Sequence, residues 1–198
     1  MNYLGHAYLS FEDPAILAGN MFADHIKGTK ALEKYPAGVK AGIMLHRAID
    51  SYTDRHPATM RGKLLFRNDY RLYSGAVMDI LLDHFLAHDP RFFPTEQTLK
   101  DYTERVYLIM ETQADWFPEK FAGYFSHMRE QNWLFNYRNM SGVQQSLKGL
   151  QRRAAYIPDI RPAFDIFVAN YYYLNQCYMD IIDDLTRFAK SKTAALNS

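Results

Sequence analysis

An all-α, single-domain fold is what this 198-residue sequence predicts, and three observations predict it. Eight prolines, with Ser and Asp residues placed as caps, divide the chain into helix-sized pieces. Valine occurs only five times against 15 tyrosines and 13 phenylalanines, a balance that favours helices over sheets. Within the pieces, apolar residues recur at three- and four-residue steps, which is the repeat of one helix face.

Each element follows from a local signal. Asp13-Pro14 is an N-cap followed by proline at the first helical position, opening a helix that runs to about Lys27, with Gly28 as the stop. The next helix spans about Pro36 to Asp54, and Pro57 starts another to about Tyr70. Ser74 to His88, then Pro94 or Thr95 to about Trp116, continue the series. Shorter helices fit Pro118 to Glu130 and Ser141 to Arg153. The last is predicted as one long helix, because Phe164, Phe167, Tyr171, Leu174, Tyr178, Ile181, Leu185 and Phe188 share a face. The result is a bundle-like fold over residues 1–198, with no repeat, low-complexity tract or linker.

Composition narrows the function classes. Apolar residues at 48% and charged residues at 23% exclude a disordered, collagen-like or membrane-embedded chain. A chain of this size buries about 70% of its unfolded surface. With 23 basic and 22 acidic residues the net charge is +1, so no global field recruits nucleic acid or an anionic membrane. Cys177 is alone, which excludes an internal disulfide or a cysteine metal cluster and makes it an inert core thiol. No Lys or Arg precedes Lys27, so the N-terminus lacks the features of a signal peptide, and the expected compartment is the cytoplasm.

Chemistry enters where polar residues occupy apolar faces. The segment from Ala76 to Ala87 is apolar nearly all round, yet it carries Asp79 and Asp83 on one face and His84 beside them. Two carboxylates four residues apart repel, and burial requires a bound cation, an Arg from another helix, or a neighbouring helix to cap. Val39, Ile43, His46, Asp50 and Thr53 descend one stripe, so His46 and Asp50 face inward together. They share a metal, or the carboxylate orients the imidazole; a buried histidine satisfied by its own i+4 Asp is the simpler alternative. Asn20 and Asp24 share a face in GNMFADHIKG, and His6 lies in the apolar stretch MNYLGHAYLS. His6, Asp24, His46, Asp50, Asp79, Asp83 and His84 all fall in residues 1–90, and packed helices would converge them. Histidine and carboxylate without cysteine suits hydrolytic chemistry with Mn²⁺, Mg²⁺, Fe²⁺ or Zn²⁺.

No phosphate-binding glycine loop, HExxH, GxSxG or paired CxxC occurs. Residues 129–161 contain six basic side chains (Arg129, Arg138, Lys148, Arg152, Arg153 and Arg161) against Glu130 and Asp159, a local balance of +4. This stretch is either a solvated helix face or a docking patch for an acidic partner.

The segments MNYLGHAYLS, GNMFADHIKG, GIMLHRAIDSYTD, MDILLDHFLA, QNWLFNYR and LKGLQRR, in that order, resemble the acyl carrier protein phosphodiesterases, or holo-ACP hydrolases. The resemblance implies an all-helical relative of the HD-type metal-dependent phosphohydrolases, and an activity in lipid metabolism. That activity removes the phosphopantetheine arm from holo-ACP with Mn²⁺ or Mg²⁺. Carried over, it points to His6, Asp24, His46, Asp50, Asp83 and His84. For that reaction His6, Asp24, His46 and Asp83 are the expected metal ligands, with Asp50 or Asp79 orienting water or a ligand imidazole, His84 protonating the leaving serine oxygen, Arg47 or Lys27 neutralising phosphate charge, and Arg138, Arg152 and Arg153 docking acidic ACP. The His88-Asp89 dipeptide, which has the order of ordinary HD domains, lies at a helix end before Pro90 and is read as coincidental. Two alternatives stand beside this reading: hydrolysis of a nucleotide or other small phosphodiester, and a non-catalytic helical binding protein.

Overall fold

A computed structural model describes residues 1–154 and 156–197. Among them there is no strand, and eleven α-helices carry the fold. They are α1 (Tyr3–Tyr8), α2 (Pro14–Phe22), α3 (Ala37–Arg55), α4 (Pro57–Tyr70), α5 (Ser74–His88) and α6 (Glu96–Glu111). The remainder are α7 (Glu119–Glu130), α8 (Trp133–Asn136), α9 (Met140–Arg153), α10 (Arg161–Ala169) and α11 (Tyr171–Asn197).

Asp13 caps its helix as the sequence predicts, and two further side chains open helices in the same way. Asp13 accepts from the Ala15 and Ile16 amides ahead of α2, and His56 accepts from Ala58 ahead of α4. Thr95 and Thr98 bond reciprocally at the start of α6. The central layer is α3, α4, α5 and α11, with α2 laid on α3 and with α1 spanning α2 and α5. Helix α5 is buried on nearly every side, as its apolar sequence requires.

The α2–α3 crossing positions the site. At Gly19 an added Cβ would stand 2.1 Å from the Val39 carbonyl oxygen, and at Gly42 it would stand 2.2 Å from that of Ile16. Only glycine at both positions lets the two backbones touch. That contact carries the Asn20 carbonyl to His46.

Three predicted elements differ. Helix α6, predicted to run to about Trp116, ends at Glu111, and a separate 3₁₀ turn covers Ala114–Trp116. Helix α2 ends at Phe22 rather than near Lys27, because Ala23–His25 tighten into a 3₁₀ turn whose Asp24 and His25 side chains reach His46 and Tyr124. Gly28 lies further on with φ 76°, turning the loop rather than stopping the helix. The predicted final helix breaks at Asn170, whose side chain donates back to the Ile166 carbonyl and separates α10 from α11. Among the described residues, no helix is long and apolar enough to cross a membrane. Cys177 is buried, as expected.

Candidate functional site

Helices α1 and α3 each deliver one histidine to the same point. The rings of His6 and His46 stack with centroids 3.9 Å apart and 17° between planes. Asn20, fully buried on α2, fixes both. His6 Nδ1 donates to the Asn20 side-chain oxygen at 2.8 Å, and His46 Nδ1 donates to the Asn20 backbone carbonyl at 2.8 Å. The Asn20 amide nitrogen donates in turn to the His6 carbonyl and to Ser10 Oγ, which sets the amide's orientation.

With both Nδ1 atoms committed, both Nε2 atoms face the carboxylate side. His6 Nε2 is 3.1 Å from Asp50 Oδ1, and His46 Nε2 is 3.1 Å from Asp50 Oδ2 and 3.2 Å from Asp24 Oδ1. Burial, with the neighbouring His46, pushes the His6 imidazole down to about 4, so it is neutral and its Nε2 carries a lone pair. That atom is buried without a hydrogen-bond partner, because the Asp50 contact is close but not aligned as one. Burial also opposes charge on His46, but hydrogen bonds to Asp24 and Asp50 outweigh it and raise this ring to about 9. Asp50 is pushed up by burial, and the two imidazoles more than reverse this, holding it well below the usual carboxylate range. The hydrogen bond from His46 lowers Asp24 in the same sense.

His6, His46 and Asp50 each offer one donor atom, all within 4.8 Å of one another. A lone pair aimed at a carboxylate is repulsive unless something positive lies between them, and an imidazole pinned through Nδ1 is the usual form of a metal-binding histidine. The donor set therefore fits a hard or borderline divalent cation. Asp24, with its side chain 77% exposed, leaves one side of the cluster open.

The other predicted site residues have different surroundings. Asp83, expected as a ligand, is fully buried beneath α1, where its two oxygens accept from the backbone amides of Asn2, Leu4 and Gly5. It caps a neighbouring helix, and its lone pairs are directed into α1 rather than at the histidines. Burial pushes it up to about 7, against the pull of the N-terminal ammonium and those amides. Asp79 receives the Met1 ammonium at 2.7 Å, and that same nitrogen lies 3.9 Å from Asp50. Burial lifts Asp79 to about 6.

His84, expected as the general acid, is turned away from the cluster. Its Nδ1 donates to the Tyr137 carbonyl, and the Tyr171 hydroxyl donates to its Nε2, so the ring ties α5 to α11. Burial lowers it to about 4, with the Tyr137 carbonyl opposing. Arg47 donates to the carbonyls of Ile26 and Gly28 and holds that loop, while Lys27 is exposed beside it. Arg138 pairs with Glu96. His88 donates to the Arg138 carbonyl and Asp89 pairs with Arg91 and Tyr178, so the His-Asp dipeptide serves packing.

Arg152 and Arg153 line a cavity of about 780 Å³ that begins at Asn2 and Tyr3, at the start of the helix bearing His6. Three further residues were not singled out from the sequence: the Tyr3 and Tyr124 hydroxyls bond at 2.9 Å, and the Tyr124 hydroxyl also bonds His25 Nε2 at 2.8 Å. Tyr3 and Tyr124 are 121 positions apart, and no sequence pattern links them.

Comparison with known proteins identifies the family. A family model described as acyl carrier protein phosphodiesterase matches residues 1–185. A protein of that name from Photorhabdus laumondii is 34% identical over 154 residues, 77% of each chain. One from Escherichia coli O6:H1 is 30% identical over 182 residues, covering 90% of this chain and 88% of its own. One from Yersinia pestis is 29% identical over 183 residues, covering 92% and 91%. No solved structure matches the chain. With the match running from α1 into α11 and so including every residue of the histidine–carboxylate cluster, this chain belongs to the acyl carrier protein phosphodiesterase family.

Proposed function

We propose that this protein is a divalent-metal-dependent phosphodiesterase that cleaves the bond between phosphopantetheine and the serine of holo-ACP, giving apo-ACP and 4′-phosphopantetheine. Family membership supports the reaction class. The single observation that carries the metal dependence is His6 Nε2, buried and unpartnered 3.1 Å from an Asp50 oxygen.

In this reading His6, His46 and Asp50 hold the cation, with Asp24 at its open side. When bound, Mn²⁺ or Mg²⁺ supplies Lewis acidity toward a phosphoryl oxygen and acidifies water. The chain's own groups do the rest. Asn20 accepts a hydrogen bond from each Nδ1, which leaves Nε2 as the nitrogen that each ring would turn to a cation. Asp24, ionised and exposed, accepts the proton of the attacking water. Lys27 and Arg153 supply positive charge for the diester, and the Arg152 region meets the acidic carrier protein.

Mass spectrometry of holo-ACP incubated with the protein and Mn²⁺ tests this directly. The expected outcome is conversion to the apo mass with release of 4′-phosphopantetheine, abolished by chelator. Holo-ACP unchanged with Mn²⁺, Mg²⁺, Fe²⁺ and Zn²⁺, alongside turnover of a nucleotide diester, would move the assignment to a small substrate.

A further inference from the structure

We propose that the cavity beside the histidine cluster seats the pantetheine arm of the substrate, phosphate end toward Tyr3 and Arg153; this rests on the function proposed above and locates its specificity. Position is the first argument. Helix α1 carries His6 into the cluster and Tyr3 into the cavity wall, so one turn of helix joins the two. The Tyr3–Tyr124–His25 hydrogen-bond chain runs from that wall to the residue next to Asp24. Both Arg153 and Asp24 act electrostatically on Tyr3 and Tyr124.

The second argument is chemical. Arg152 and Arg153 line the cavity, no carboxylate does, and among the described residues neither arginine is paired with one. The rest of the lining is aromatic and amide-bearing, with Trp133, Tyr124 and Gln145. An anionic group joined to a flexible chain with amide links is the ligand that such a lining recognises. The volume lies within the roughly 300–1,000 Å³ of small-ligand clefts. Trp133 already stacks on Tyr124 at 10° and meets His127 at 85°, so these rings offer no free pair of faces to sandwich a nucleobase.

Gly149 provides a way to fill the cavity without straining the helix. It lines the wall, and an added Cβ would meet nothing nearer than Arg152 Nη2 at 4.0 Å. Trp116→Phe leaves Trp133 as the only tryptophan, so its emission reports on the cavity. Titrating 4′-phosphopantetheine into this chelator-treated protein should give a saturable change in emission, and AMP should give none. Gly149→Leu should weaken binding at least about tenfold and raise KM for holo-ACP by a similar factor. Arg153→Ala, a surface change with little risk to folding, should weaken binding independently. Circular dichroism melting checks that each variant is folded.

If the parent protein hydrolyses holo-ACP while phosphopantetheine leaves Trp133 unmoved, or both variants bind as the parent does, the inference is overturned and the proposed function stands. If phosphopantetheine binds and the variants weaken it but holo-ACP is never cleaved, the cavity assignment holds and the proposed function falls. Saturation by AMP alone overturns the inference in favour of a nucleotide site.

Discussion

His6 and His46 lie face to face, 3.9 Å between ring centroids, and both are held through Nδ1 by Asn20. A buried amide that orients two imidazoles is the most sensitive point of the site that bears no functional atom itself.

Replacing Asn20 with Ala removes the acceptor for His6 but leaves the backbone carbonyl for His46. Mn²⁺ affinity should fall about 10–100-fold, the usual cost of losing an orienting partner behind a metal ligand. Calorimetric titration of Mn²⁺ measures it; affinity within twofold of the parent would show that His6 is held in place by other contacts.

Metal should stabilise the native chain, since a ligand bound only to the folded state adds about 2.7 kcal/mol at a hundredfold excess over Kd. The melting temperature of the parent should rise with Mn²⁺, and that of Asp50→Ala should not. Hydrolysis of holo-ACP by Asp50→Ala and by His6→Ala should be lost while helical circular dichroism is kept. An equal rise in parent and Asp50→Ala would place the cation away from this cluster.

Asp83→Ala is expected to act on stability. Its carboxylate serves the buried amides of Leu4 and Gly5 in α1 and that of Asn2 just ahead of it, and an unsatisfied buried donor costs about 1–3 kcal/mol. Asp83→Asn, which keeps one accepting oxygen, should fall between Ala and the parent in urea denaturation. If Asp83→Ala melts like the parent but binds no Mn²⁺, the residue is a ligand after all.

These results separate what the chain makes legible from what it does not. The i,i+4 pair His46–Asp50, the half-buried Asp79 and the buried Asp83 are visible because helical spacing alone puts them on apolar faces. Which of them converge is a matter of tertiary packing. Asp83 reads as a ligand in sequence because periodicity shows that a carboxylate is buried without showing the backbone amides that surround it. Likewise, apolar periodicity continues through Asn170, whose side-chain bond to Ile166 ends α10.

His84 gives a pH dependence with a defined sign. Its imidazole titrates near 4 when folded and near 6.5 when unfolded, so between these values the unfolded chain binds the extra proton. Its neutral burial therefore costs nothing above about pH 6.5, and stability is lost as pH falls from 6.5 toward 4, by up to about 1.4 kcal/mol per pH unit. Subtracting the denaturation free energies of His84→Gln from the parent's across that range should leave this slope in the difference. Parallel curves would mean that His84 is accessible and titrates normally.

Arg152 and Arg153 sit on consecutive positions of α9, about 100° apart on the helix. Arg152→Glu and Arg153→Glu should each raise KM for holo-ACP, by different factors. Both effects should shrink above about 0.15 M ionic strength, where the Debye length is about 8 Å. KM values that match the parent at low salt would place the carrier protein on another face.

The glycine crossing of α2 and α3 has a consequence for how this enzyme family can vary. Where two main chains rest on each other without side chains between them, there is no soft material to absorb a displacement. The Asn20 carbonyl is therefore gauged against His46 by peptide geometry rather than by core packing. Repacking elsewhere, for example along α11, can raise or lower thermal tolerance and leave the spacing of the two imidazoles alone. A single methyl group at position 42 would do the reverse: it would wedge α2 outward and shift the Asn20 carbonyl against His46.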